Sequence, residues 1–335
     1  MLRFTFSFLV FLLLTIAGTA AIFLYYSQPT GLQSPRTITI PTGSSARAIG
    51  IALEREGIIR SGRIFSWTVR LKGLSHRLEA GTYQLDGLHD LPSTVQLLLE
   101  APLQMRKATI PEGLTRHETA GVLARQDIVD STRFVQLSED RTFTASFGID
   151  EPTLEGYLFP ETYFFSMESD EESVIRRLVK QFHDVMDDEA LARLDAIGLS
   201  IHQAVTLASI VEREAQAASE RPLIAGVFLR RLSLNRRLES CATVEYALGF
   251  HKKRLTNADL RVKSPFNTYR HRGLPPAPIG SPGKASLIAS LYPEKTEYLY
   301  FVARGDGTHI FSRTNVEHEA AKQQVKRLER SRQLN

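Results

Sequence analysis

Cysteine is nearly absent from this sequence of 335 residues. Only Cys241 occurs, so no internal disulfide can form and no disulfide framework holds the fold. Neighbouring Ala and Ser give its thiol no base, and a lone cysteine of this kind reads as a small apolar residue rather than a nucleophile. Metal-ligand spacing is missing too. The chain has nine His but no His-Glu-x-x-His and no close Cys/His pair, so no metal site is expected. No Gly-rich segment leads into a Gly-Lys-Ser/Thr helix start; Gly305-Asp306-Gly307 reads as a turn, not a phosphate loop. A net charge of +4 is too small to argue for nucleic acid. The charge is unevenly placed, however. Residues 221–272 hold twelve Lys/Arg and three Asp/Glu, a basic segment that suits either a solvated surface or an anionic polymer.

One long hydrophobic run is present. Phe4 to Tyr26 carries no charge and is long enough to cross the hydrocarbon core as a helix. Small residues at 17–21 would suit a cleavage site, but the apolar run continues through Tyr26, as an anchor does and a signal peptide does not. Arg3 precedes the run and no charge follows until Arg36, which places the N-terminus in the cytoplasm and the remainder outside. The expected organisation is an anchor over residues 1–26, a polar linker over 27–35, a small α/β domain over 36–105 and a larger domain over 106–335. The fold class is α+β, with the larger domain mainly helical and closed by a C-terminal β-hairpin.

Local patterns support this. Thr37 to Ile40 alternates as a half-buried strand, and Gly81 to Leu85 reads as a second. Helices are expected from Ser44/Ser45 to Glu56, from Gly62 to Lys72 and from Pro92 to Glu100. Ile38-Thr39-Ile40-Pro41-x-Gly43 is echoed by Ala108-Thr109-Ile110-Pro111-x-Gly113, with Leu53 answering to Leu123 and Ile58 to Ile128. The echo predicts a repeated strand–turn–helix unit. Ser200 and Gln203 form a capping box that opens a helix to about Ala217. Residues 298–303 and 309–312 form the hairpin, and Asn315 precedes a final exposed helix.

The helix from Ile201 holds the clearest candidate for chemistry. Ala204 to Val211 is apolar or small on every side, so it is buried, and Glu212 follows directly. Ala208 and Ala215 flank it and leave room for a substrate. A carboxyl partly withdrawn from water can hold a proton near neutral pH and act as a general acid. Glu214, two residues on, points elsewhere. A glutamate at the solvent edge of a core helix has the same pattern. Three further segments, 154–163, 264–269 and 273–283, interleave aromatics with Asn, Glu, Thr and Pro, as sugar sites and ordinary loops both do.

Taken together and in order, these motifs carry a resemblance. Glu155-Gly-Tyr-Leu-Phe-Pro-Glu-Thr-Tyr163, Leu207-Ala-Ser-Ile-Val-Glu-Arg-Glu214, Asn267-Thr-Tyr269, Gly273-Leu-Pro-Pro276 and Tyr298-Leu-Tyr-Phe-Val302 are similar to those of the MltG (YceG-like) endolytic murein transglycosylases. The resemblance covers nearly the whole chain. It implies a LysM-like domain after the anchor and a peptidoglycan lyase that makes 1,6-anhydro muramic ends without a cofactor. Its catalytic residue would be Glu212, with Glu161, Asn267 and Tyr269 as candidate groove residues. It also implies partners: peptidoglycan strands, the membrane through the N-terminal helix, and cell-wall synthases. Lys252, Lys253, Arg254 and Arg270 would guide the anionic polymer. One departure stands out. Glu239-Ser240-Cys241-Ala242-Thr243-Val244 occupies a stretch where many members have Gln-x-Asp-Pro-Thr-Val, so no role of that Asp carries over. Two other readings compete. One is a scaffold that binds glycan without cutting it. The other is a pyridoxal-phosphate lyase, for which no Schiff-base Lys or phosphate cup is recognisable.

Overall fold

A computed structural model describes residues 2–41, 43–100, 105–167, 169–252 and 255–333. The fold is mixed α+β, mostly helical with small sheets, and it divides into two compact units, Met1–Arg106 and Lys107–Asn335.

The first unit opens with α1 (Leu2–Ser27), a helix whose residues from Val10 to Tyr26 expose their apolar side chains. Then come β1 (Arg36–Ile40), α2 (Ala46–Arg55), α3 (Gly62–Leu71), β2 (Gly81–Leu85) and α4 (Leu91–Leu99). β1 and β2 pair antiparallel, Arg36 opposite Leu85 and Ile40 opposite Gly81. Alternation turns Ile38, Ile40, Tyr83 and Leu85 inward, where they meet Leu53, Phe65 and Val69 in one core. Ser45 caps α2 and Ser61 caps α3. Those two helices touch backbone to backbone: a Cβ on Gly50 would come within 2.5 Å of the Gly62 carbonyl oxygen, so glycine is required there. The segment expected as a linker is bonded to this body, with Gly31 N–H donating to the Gly87 carbonyl and Gly87 N–H to Leu32.

The second unit begins within β3 (Met105–Thr109), which pairs with β4 (Thr162–Ser166). Between them lie α5 (Arg116–Ala124), α6 (Ser131–Ser138) and α7 (Arg141–Ala145). This is the repeat that the sequence echo predicts. Gly43 and Gly113 both have positive φ, at 80° and 78°, and Ser45 and Thr115 are the matching N-caps. Leu53 and Leu123 are both fully buried. The remaining helices are α8 (Glu171–Val185), α9 (Asp188–Ile197), α10 (Ile201–Glu214), α11 (Arg221–Ser233), α12 (Cys241–Leu248) and α13 (Lys284–Leu291). The chain ends with β5 (Tyr300–Ala303) paired to β6 (His309–Ser312), then α14 (Asn315–Gln333). α10 is the hub. Its residues Ala204 to Val211 are buried, and it packs against α11 and α13. Its capping box is formed, Ser200 with Gln203. The last helix, expected to be exposed, buries Ala321 and Val325 against the hairpin.

Candidate active site

Glu212 lies in the last turn of α10, where the fully buried stretch ends. Its side chain is only 7% exposed. Each carboxylate oxygen has a donor. Arg221 Nη2, at the start of α11, donates to Oε1 at 3.1 Å, and the Gly283 N–H donates to Oε2 at 3.0 Å. Arg221 is itself fixed, because its Nε donates to the buried Ser286 Oγ of α13 at 3.0 Å. Gly283 is the N-cap residue of α13, so the carboxylate also sits at the positive end of that helix. Backbone of the Pro111–Gly113 turn approaches Glu212 from one side. A Cβ on Gly113 would come within 3.6 Å of Glu212 Cγ.

Two loops are locked together over this carboxylate. Gly113 N–H donates to the Ser281 carbonyl at 2.8 Å, and Ser281 N–H donates to Leu114 at 2.8 Å. Gly280 approaches so closely that a Cβ would lie 2.6 Å from the Gly113 oxygen. Glu112, in the same turn, stands against Gly283: a Cβ there would fall 1.9 Å from Glu112 Oε1. Burial pushes the Glu112 carboxyl above its ordinary range, and the charges of Glu212 and then Glu161 add to this, while Arg221 pulls it down. Glu161 therefore belongs to the same neighbourhood. Its carbonyl accepts from Ile110 N–H, and its carboxylate accepts from Thr162 N–H at 2.9 Å.

The other two candidates lie elsewhere. Asn267 is fully buried. Its Nδ2 donates to the Leu260 and Val262 carbonyls, and its Oδ1 accepts from Tyr269 N–H. Such a carboxamide shapes its own loop. Tyr269 lines a cavity of about 310 Å³ with Glu214, Cys241, Glu239, Arg231 and Tyr300. Its hydroxyl meets Cys241 Sγ at 3.2 Å. Glu214, on this side of α10, accepts from Ser240 Oγ, and burial pushes its carboxyl up. Cys241 thus begins α12 against Tyr269, in the stretch where the family pattern departs.

A second cavity, about 420 Å³, is lined by Glu155, Arg116, Arg213, Glu245, Tyr246 and Phe250, among others. Glu155 is buried and pushed up to about 7 by loss of hydration. The Arg116 N–H donates to it at 3.0 Å and the Tyr246 hydroxyl at 3.2 Å, which opposes the rise. The segments 154–163 and 273–283 meet through close packing: a Cβ on Gly156, with φ of 87°, would lie 2.5 Å from Pro278. In the basic segment, Lys252 is bound by Asp259 at 2.6 Å and Arg270 donates to the Arg261 carbonyl. Lys253 and Arg254 lie outside the described residues.

Sequence reasoning singled out Glu212 and Glu161 but missed Arg221, Gly283 and Glu112. Arg221 has no motif of its own. Gly283 closes the Pro/Gly segment, and Glu112 sits inside the Pro-x-Gly echo, so a signal existed for both.

In this α+β chain the Glu212 carboxylate is thus enclosed near the end of a buried helix and held by a guanidinium and a backbone N–H. Comparison with known proteins then gives the family. The YceG-like family pattern matches residues 38–324, and the chain belongs to that family. An endolytic murein transglycosylase of Bacillus subtilis is 34% identical over 302 residues, spanning 85% of this chain and 83% of its own. An endolytic murein transglycosylase of Streptococcus pneumoniae is 31% identical over 342 residues, spanning 90% of this chain and 61% of its own. A crystal structure of a yceG-like protein from Listeria monocytogenes superposes with a TM-score of 0.60 at 35% identity, covering 86% of this chain and 99% of that one.

Proposed function

We propose that this chain is an endolytic peptidoglycan transglycosylase whose catalytic acid/base is Glu212. The observation that carries the reading is the enclosed Glu212 carboxylate, with Arg221 and Gly283 N–H bonded to its two oxygens, in a chain whose relatives bear that activity in their names. One carboxyl suffices if the nucleophile belongs to the substrate. Protonated Glu212 gives its proton to the glycosidic oxygen between MurNAc and GlcNAc as the bond to the anomeric carbon breaks. The muramic C6 hydroxyl then bonds to that carbon and loses its proton to the Glu212 carboxylate. The strand is cut, a 1,6-anhydro end forms, and Glu212 is again protonated. An attacking group already in place removes the cost of capturing water, roughly 7–10 kcal/mol in favourable cases. No metal or cofactor enters this scheme.

The first unit fits a LysM-like glycan-binding role, because β1, α2, α3 and β2 make a two-stranded antiparallel sheet covered by two helices. The domain limits proposed are residues 36–105 for this module and 106–335 for the catalytic part. The helix α1 fits a single-pass anchor in the plasma membrane with the catalytic part outside, where an enzyme that terminates new strands would stand beside cell-wall synthases. Incubating the full chain with purified sacculi tests the reading. Soluble fragments with anhydro ends are expected. Binding to sacculi with no new ends would favour a non-catalytic scaffold.

A further inference from the structure

The enclosed Glu212 raises a question of proton supply. Its two donors, Arg221 and Gly283 N–H, both bond the ionised carboxylate. A general acid must instead arrive protonated. Something in the site has to oppose the guanidinium, and the Pro111-Glu112-Gly113 turn supplies a candidate. Glu112 and Glu212 flank the same residue, Gly283, from two sides. Glu212 Oε2 is 3.0 Å from its nitrogen, and Glu112 Oε1 is 1.9 Å from the place a Cβ would take. Standard bond lengths then put the two carboxyl groups no more than roughly 7 Å apart. Glycosidases hold working carboxyl pairs at about 5–9 Å.

The fold itself does not ask for an acid at this position. In the first copy of the sequence echo the corresponding residues are Pro41, Thr42 and Gly43, so Thr stands where the second copy has Glu112. The turn needs only its Pro and its positive-φ Gly. At Gly283 the three atoms nearest to an added Cβ all belong to Glu112, whose side chain occupies that space.

We propose that Glu112 is a positioning residue for the cleavage proton: its carboxylate, set beside Glu212 across Gly283, offsets Arg221 and keeps the proton on Glu212 until the glycosidic oxygen arrives. This rests on the reading of Glu212 as the catalytic acid. The charged groups that act on Glu112 are Glu212, Arg221 and Glu161, and Arg213 of α10 also faces this turn, its Nη1 donating to the Gly113 carbonyl at 3.5 Å. Two nearby carboxyls cannot both ionise freely, so the pair binds a proton more readily than either would alone.

The test is the pH profile of kcat, with KM, for the full chain in detergent acting on solubilised glycan strands. In Glu112→Gln the negative charge is gone and Arg221 acts unopposed. The alkaline limb of kcat should move to lower pH by about one unit, with KM unchanged. Glu112→Asp keeps the charge and should leave the limb where the wild type has it. A limb unmoved in Glu112→Gln, or moved equally in both variants, overturns the proposal whatever happens to the rate. Failure of the underlying reading looks different: Glu212→Gln would still cut strands in the same assay.

Discussion

Arg221 Nη2 donates to Glu212 Oε1 at 3.1 Å, and both side chains are largely shielded from water, 13% and 7% exposed. A shielded ion pair is costly to break from one side, because the remaining charge is left without a partner. Arg221→Met should therefore destabilise the second unit by about 3 kcal/mol. It should also move the alkaline limb of activity upward, opposite to the change expected for Glu112→Gln. Denaturant melts and rate–pH profiles of the variant check the two effects separately. An unchanged melt would mean that the pair contributes little.

Glycines 280 and 283 give a contrast in one loop. A Cβ at Gly283 meets the far end of a flexible side chain, the Glu112 carboxyl, which can swing away. Gly283→Ala should cost less than about 1 kcal/mol in stability while displacing Glu112, and so reproduce the pH shift of Glu112→Gln. At Gly280, with φ of 148°, a Cβ meets the backbone oxygen of Gly113 at 2.6 Å. That oxygen cannot move without the turn, so Gly280→Ala should cost about 1–3 kcal/mol. Equal thermal shifts for the two variants would contradict this reading of the loop.

Glu155 makes stability depend on pH with a definite sign. Its folded carboxyl is pushed up to about 7 by burial, above the unfolded carboxylate range. The folded state thus holds a proton that the unfolded chain has released. Its contribution to stability is fully present below the ordinary carboxylate range and is lost as pH rises through about 7. Glu155→Gln removes that slope. The stability difference between wild type and variant should change by about 3 kcal/mol between pH 4 and pH 8, against the wild type at the higher pH. Parallel melting curves across that range would show that Glu155 is no such group.

Much of this could be read from the residues alone, for physical reasons that differ by element. Ser200 and Gln203 announced the start of α10 because capping is a local matter of side chain and backbone. The twin Pro-x-Gly turns were legible because a positive φ at Gly43 and Gly113 demands glycine. β4 was not foreseen: Phe164 points outward, 58% exposed, and spoils the alternation that Tyr163 and Phe165 would otherwise show. Glu212 stood out because a charge ends an apolar run. Its donors did not, since Arg221 and Gly283 reach it only through the packing of α10, α11 and α13. Asn267 illustrates the converse. A polar residue between aromatics suggested a groove, yet its carboxamide is consumed by the Leu260 and Val262 carbonyls.

The central claim is that Glu212 cuts glycan strands by an internal attack. Mass spectrometry of muropeptides from sacculi treated with the full chain, alongside Glu212→Gln, tests it most directly. Wild type should give 1,6-anhydro muramic ends, and the variant should fold and bind but cut at least about 10²-fold more slowly. Reducing ends in the wild-type digest, or anhydro ends from Glu212→Gln at the wild-type rate, would contradict it.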